Sequence, residues 1–300
     1  MLFRRDHLSL GLVLPAQDRI KSDFEFDSQL ALAGNADEAG FTALWVRDVP
    51  LNGRDYPDPI GHSDPWVLLG ALAATTSRIQ LATGAIVLPL RHPLHIAKSA
   101  LSIQALSGGR FTLGLGSGDR PKEYEVFGKS IEQRKTLYRD HWDQVAAVLG
   151  SAKAVLDANG DPRHDFEVRP RPTPEVPMLS VGSSSQSLEW IARHSIGWMT
   201  YYRSLDVQKD RIALWHAAVS KSAADFRGFG QSMALELADD PSARPEPITL
   251  GMRTGRYGLV DALHAMKEAG VHHLALNLTT AKRLPADVID EIASEVIPII

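Results

Sequence analysis

No cysteine occurs anywhere in the 300 residues. That absence removes disulfides, thiolate catalysis, iron–sulfur clusters and cysteine-based zinc sites, and it fits a reducing, cytoplasmic setting. Positive charge is not in excess either: 32 Lys and Arg face 36 Asp and Glu, for a formal net charge of −4. No basic stripe interrupts this balance, so a nucleic-acid partner is not expected. Long hydrophobic runs are also missing. No segment approaches the roughly 18 apolar residues that a membrane span needs, so no membrane association is expected. Charges precede the first apolar run, but that run, Leu8–Leu14, is short and ends at Pro15. It reads as a first buried strand and not as a signal peptide. The first strand–helix junction lacks G-x-G-x-x-G, which argues against a dinucleotide-binding fold.

What is present is a repeated alternation. The clearest stretch is 79–118, IQLATGAIVLPLRHPLHIAKSALSIQALSGGRFTLGLGSG. An apolar, β-branched run stops near Pro89, a helical pattern runs from His92 to Leu106, and Gly108-Gly109 ends it before a second apolar run. Strand, crossover helix and strand in that order require a parallel sheet. The same unit recurs about eight times along the chain, with first strand residues near Leu8, Phe41, Ile79, Arg110, Met178, Trp198, Ser232 and His272. Such alternation suits a (β/α)8 barrel or an open doubly wound sheet, and eight units in 300 residues favour the barrel. The expected fold is therefore of the α/β class: a (β/α)8 TIM barrel forming one domain over residues 1–300, with insertions after strands four and seven. The insertions are the Pro- and charge-rich stretches 150–177 and 238–247.

In a barrel, functional groups gather at the C-terminal strand ends. Here those ends are mostly small residues, with few acids and no nucleophile–base pair, which suits a planar cofactor carrying its own reactivity. Gly182-Ser183-Ser184-Ser185 is a phosphate candidate, because it joins strand five to a helix read as starting at Gln186. The alternative is that Ser185 simply caps that helix. The loop Gly251–Arg256 is a second phosphate candidate, with solvated arginines as the alternative. Gly84-Ala85 lies inside an apolar strand, which suits either close packing of a helix on a small residue or a strained peptide under a ring system. His92 and His95 share a helix face but lack a third ligand, so no metal is expected. Arg47-Asp48 suits either a ligand contact or a rim salt bridge. Trp45, Trp190, Trp198 and Trp215 read as core.

The chain resembles the bacterial luciferase-like, flavin-dependent monooxygenase family. The resemblance is carried by Ala82–Gly118, by Glu123-Tyr124 and Phe127-Gly128, and by VGSSSQSLEWIARH from Val181 to His194. It implies FMN at the C-terminal mouth, with a non-prolyl cis peptide at Gly84-Ala85 under the isoalloxazine ring. It further implies Gly116 and Ser117 against the flavin and its tail, and Gly182, Ser183 and Ser184 around the phosphate. A two-component monooxygenase follows, taking reduced FMN from a separate flavin reductase and using O2 on a small-molecule substrate. The alternatives are a deazaflavin-dependent dehydrogenase on the same barrel and a non-catalytic flavin-binding relative. A homodimer is implied. The chain departs from the family's pattern twice: Val49 stands where luciferase has a catalytic histidine, and Ser117 stands where it has a phosphate-binding arginine. The first argues against light emission from an aldehyde. The second shifts the phosphate toward backbone, or toward Arg120 or Arg253. Asp48 is the substrate-facing, catalytic candidate. The loops 15–27 and 47–63 are expected to shape the substrate pocket.

Overall fold

The computed structural model describes residues 1–16, 23–53, 61–157, 159–222, 224–279 and 281–300. Its centre is a ring of parallel strands: β1 (Ser9–Leu14), β2 (Ala43–Val46), β3 (Gln80–Thr83), β4 (Phe111–Gly116), β5 (Met178–Val181), β6 (Gly197–Tyr201), β7 (Gly228–Leu237) and β8 (His273–Asn277). Each strand is hydrogen-bonded to the next. The ring closes where β8 returns to β1, in register from Ser9↔His273 to Leu12↔Leu276. Outside it lie α1 (Phe26–Glu38), α2 (Pro65–Thr75), α3 (Pro93–Leu106), α4 (Arg134–Leu149), α5 (Leu188–His194), α6 (Leu205–Lys221), α7 (Arg256–Glu268) and α8 (Pro285–Glu291). This is the (β/α)8 barrel that the alternation predicts.

Residue types at alternate strand positions explain the layering. Leu10, Leu12 and Leu14 of β1 point outward and join one large core between sheet and helices. The inward positions form a separate, smaller core of Leu2, Phe3, Val13, Ala43, Trp45, Ala82, Leu179, Met199 and Ala275. Three of these are alanines, so one indole fills much of the lumen. Phe3 closes the floor. A Cβ at Gly228 would lie 2.1 Å from its ring, and one at Gly197 would lie 2.7 Å from it. The strands there carry glycine because a phenyl ring occupies the space.

Several local readings change. Strand three, read as continuous to Val87, breaks after Thr83 and resumes as Ile86–Val87. The charged stretch 119–127 that follows β4 contains a short helix, Pro121–Val126. The insertion after strand four carries an antiparallel hairpin, Val155–Leu156 with Pro162–Arg163. The insertion after strand seven leads into two added strands, Glu246–Ile248 and Gly251–Thr254. The second of these pairs with the far end of β7, Ala234↔Gly251 to Leu237↔Thr254. Gly251–Thr254 is thus sheet and not a phosphate loop. The two loops expected to shape the substrate pocket include residues 17–22 and 54–60, which lie outside the described residues.

At the N-terminal end of the barrel, Asp37 of α1 ties α2 to β3. Its carboxylate accepts from the amides of Ser77 (2.8 Å), Arg78 (3.0 Å) and Ile79 (2.6 Å). Burial alone pushes this carboxyl up. The three amides and the Ser77 hydroxyl outweigh burial and hold it below the usual carboxylate range. Asp37→Ala is expected to cost about 2 kcal/mol by leaving these donors without their acceptor. A depressed pKa contributes stability above the unfolded value, and that contribution is lost as the pH falls through the folded value. The gap between wild type and variant in urea unfolding should therefore close below about pH 4.

Candidate functional site at the barrel mouth

β3 and β4 part company just below the mouth. They pair at Leu81↔Phe111 and Ala82↔Thr112, and pairing resumes at Ile86↔Leu115 and Val87↔Gly116. Three residues, Thr83 to Ala85, therefore face two, which is a bulge. The gap in the ladder is filled by a side chain. Thr83 Oγ1 donates to the Gly114 carbonyl (2.7 Å) and accepts from the Gly114 amide (2.8 Å). A Cβ at Gly114 would lie 1.8 Å from the Thr83 carbonyl oxygen, so that position requires glycine. The bulge turns Gly84 and Ala85 toward the mouth, and their peptide is cis, the conformation that the resemblance implies there. The Gly84 amide donates to the Val46 carbonyl at 2.8 Å.

Gly116 is where three segments meet. A Cβ on it would lie 3.1 Å from Ala85 Cβ and 3.4 Å from the Val181 carbonyl. The structure thus brings together Gly84, Ala85, Gly116 and the turn that begins at Gly182, with Ser117 beside them. Two tyrosines hold the end of β4 from behind. The Tyr138 hydroxyl donates to the Leu115 carbonyl at 3.2 Å, and the Tyr124 hydroxyl donates to the Ser117 carbonyl. Burial pushes both phenols up, Tyr124 to about 12, so both remain donors.

The turn after β5 is left-handed at Gly182 (φ 70°), Ser184 (φ 49°) and Ser185 (φ 58°). Each serine in that region costs on the order of 1–3 kcal/mol. Ser187 and not Ser185 caps α5, accepting from the Trp190 amide at 3.2 Å, and the helix starts at Leu188. The reading that placed the helix start at Gln186 is corrected accordingly. Because Ser187 does the capping, the turn is released from that duty. The amides of Ser183, Ser184 and Ser185 donate to no acceptor among the described residues. Ser184 is buried, and its hydroxyl neighbours the Tyr138 phenol without a hydrogen bond of ordinary geometry. Successive backbone amides left without acceptors in a left-handed turn are the groups that bind anions elsewhere. The arginine that reaches this turn was not legible in the sequence. Arg139 of α4 donates to Gln186 Oε1 (2.8 Å), and Gln186 Nε2 donates to the Ser184 carbonyl (3.1 Å).

Asp48 is put to a different use from the substrate-facing role expected of it. Its carboxylate accepts from Arg91 Nε and Nη2, both at 2.8 Å, and from the Val87 amide at 3.0 Å. The side chain is 1% exposed. A carboxylate so enclosed anchors the return of the bulge to β4 and presents nothing to a ligand. The rim salt bridge is thus made with Arg91 and not within the Arg47-Asp48 pair. The two other arginines considered for phosphate are likewise engaged. Arg120 donates to the Leu51 carbonyl (2.9 Å) and to Glu123 (2.8 Å). Arg253 lies against Glu236 (3.4 Å) and Glu246 (3.8 Å). His92 accepts from the Leu94 amide through Nδ1 (3.2 Å) as the cap of α3. Among the described residues no group of three or more His, Asp or Glu is placed to hold a metal. His62, to which no sequence motif points, comes close to Arg47 and Arg120. Burial, and then those two positive charges, push it down to about 3, so its imidazole is neutral.

Comparison with known proteins places this geometry in a family. The profile described as luciferase-like monooxygenase matches residues 8–281. An uncharacterised protein of Mycobacterium tuberculosis is 32% identical over 221 residues, covering 72% of this chain and 76% of that protein. Among solved structures, an F420-dependent secondary alcohol dehydrogenase bound to an F420–acetone adduct superposes with a TM-score of 0.80 at 16% identity, over 97% of this chain and 98% of the other. The oxygenating constituent of 3,6-diketocamphane monooxygenase from Pseudomonas putida, in complex with FMN, superposes at 0.75 with 14% identity, over 97% and 98%. Among the described residues no helix is long and apolar enough to cross a membrane. With its closed eight-stranded barrel and a match along nearly its whole length, the chain belongs to the luciferase-like monooxygenase family.

Proposed function

We propose that the protein is the oxygenating component of a two-component FMN monooxygenase, acting on a small organic substrate with reduced FMN from a separate reductase. The observation that carries this reading is the turn 182–185, where three successive serine amides have no acceptor among the described residues, next to the small residues of the mouth. Bound reduced FMN would supply the electrons that activate O2. The chain's own residues do the rest. Ser183, Ser184 and Ser185 would hold the phosphate. Gly84, Ala85 and Gly116, with Ser117 at their edge, leave a flat floor beside it for a planar ring. Thr83, Tyr124 and Tyr138 keep that floor rigid. His62 stands at the same end of the barrel as a neutral imidazole, which adds no charge there and is too weak a base to take up a proton near neutral pH.

A deazaflavin-dependent dehydrogenase is the second reading, and one observation favours it: the F420-dependent dehydrogenase is the nearer of the two structures in fold, 0.80 against 0.75. Both cofactors carry a phosphate, so the turn suits either. Anaerobic titration with chemically reduced FMN and with F420, followed by tryptophan fluorescence, separates them. The expected result is binding of reduced FMN with a Kd on the order of micromolar and oxygen uptake when air is admitted. Tighter binding of F420, with no oxygen uptake, would replace the first reading by the second.

A further inference from the structure

Trp45 and His273 meet inside the barrel, and neither reaches solvent: they are 2% and 0% exposed. An indole N–H can only donate. It donates to His273 Nε2 at 2.8 Å. Nε2 is therefore unprotonated, and the ring proton sits on Nδ1, which donates to Ser9 Oγ at 2.7 Å. Burial pushes the imidazole down to about 3, so the acceptor persists throughout the neutral range. Space for the pair is provided by β1. A Cβ at Gly11 would lie 2.8 Å from His273 Nε2 and 2.9 Å from Trp45 Nε1. The opposite edge of the same indole faces the mouth: a Cβ at Gly84 would lie 3.0 Å from Trp45 Cε3. Ala43, Ala82 and Ala275 share the lumen core with the ring, beside Leu2, Phe3, Val13, Leu179 and Met199. The hydrogen bond from below is the ring's one polar tether, and its upper edge bears on the residue that forms the floor of the mouth.

We propose that His273 is a positioning residue for the cofactor: by holding the Trp45 indole edge-on beneath Gly84, it sets the height of the Gly84–Ala85 shelf on which the flavin ring would lie. This rests on the cofactor reading given above. It assigns a task at the mouth to a histidine at the opposite end of the barrel, where ligand chemistry is not expected.

Two substitutions divide the imidazole's bonds between them. The amide of Gln at position 273 reaches the place of Nε2 and keeps an acceptor for the indole. The amide of Asn stays near the place of Nδ1, keeps Ser9 as partner and abandons the indole. His273→Gln should bind reduced FMN as the wild type does, whereas His273→Asn should bind it about tenfold more weakly. Trp45→Phe should match the Asn variant, and the double variant should be no weaker than Trp45→Phe alone, since both remove one interaction. In 15N NMR the Trp45 indole resonance, identified by its loss in Trp45→Phe, should stay in place with Gln and shift upfield with Asn. If His273→Asn does not fold, Trp45→Phe and His273→Gln carry the test. Folded Asn and Phe variants with wild-type affinity would overturn the assignment, as would a Gln variant as impaired as Asn. Wild-type protein that binds neither reduced FMN nor F420 would overturn the cofactor reading itself, and this role with it.

Discussion

Replacing Ser183 by aspartate lowers the affinity for FMN about a hundredfold and leaves the affinity for riboflavin, which has no phosphate, where it was. Two like unit charges about 4 Å apart repel by about 4 kcal/mol at an effective dielectric of about 20. Ser183 is exposed, so screening reduces this to about 2.7 kcal/mol, which is the hundredfold. The same exposure keeps the variant folded, because a surface substitution of this kind changes stability by about 0.5 kcal/mol or less. Flavin fluorescence titration of the two proteins with the two ligands gives four numbers. Equal FMN affinity in both proteins would move the phosphate away from this turn. Equal loss of riboflavin would mean that the aspartate disturbs the ring's seat and not the tail's.

Thr83→Val destabilises the protein by about 3 kcal/mol, although valine has nearly the shape of threonine. The hydroxyl serves both backbone groups of Gly114, and its residue is fully buried. Valine leaves that amide and that carbonyl without partners, at about 1–3 kcal/mol for each buried group. Thr83→Ser keeps the hydroxyl and loses one methyl, about 0.8 kcal/mol. Urea unfolding midpoints of the three proteins decide the matter. A valine variant within about 1 kcal/mol of the wild type would show that water or a shifted strand satisfies Gly114. The loss is felt at the mouth as well, since the bulge that Thr83 closes is the one that presents Gly84 and Ala85.

The order of strands and helices was legible because each rests on local chemistry: β-branched apolar runs, glycine stops, and proline or aspartate starts. The Pro65 start of α2 is such a case, with Asp64 accepting from the Trp66 amide at 2.9 Å. The small residues of the mouth were legible for the same reason. What escaped depends on pairs far apart in the chain. Asp48 was read as ligand-facing because its partner, Arg91, is 43 positions away. Thr83 counts in the sequence only as a small strand-end residue, because the Gly114 groups that its hydroxyl serves lie 31 positions on. The break at Gly84 was hidden by apolar residues on both sides. In Gly182–Ser185 the composition signals a turn, but serine does not declare the sign of φ, so the helix start was set too early. Gly251–Thr254 reads as a loop by composition. It becomes strand because β7 extends to Leu237, beyond the β6 pairing that ends at Ser232, and leaves an edge to be covered.

Ring closure also dictates an order of events on the ribosome. Ser9 and His273, where β1 meets β8, are 264 positions apart, and Phe3 fits among Gly197, Gly228 and Gly230. The stopper is synthesised first and its socket last. At about 5–20 residues per second, the flank of β1 stays unmated for on the order of ten seconds or more. During that interval the nascent chain carries an open β edge of the kind that invites pairing with other chains. Holding that edge apart until the final strand emerges is a natural task for a chaperone.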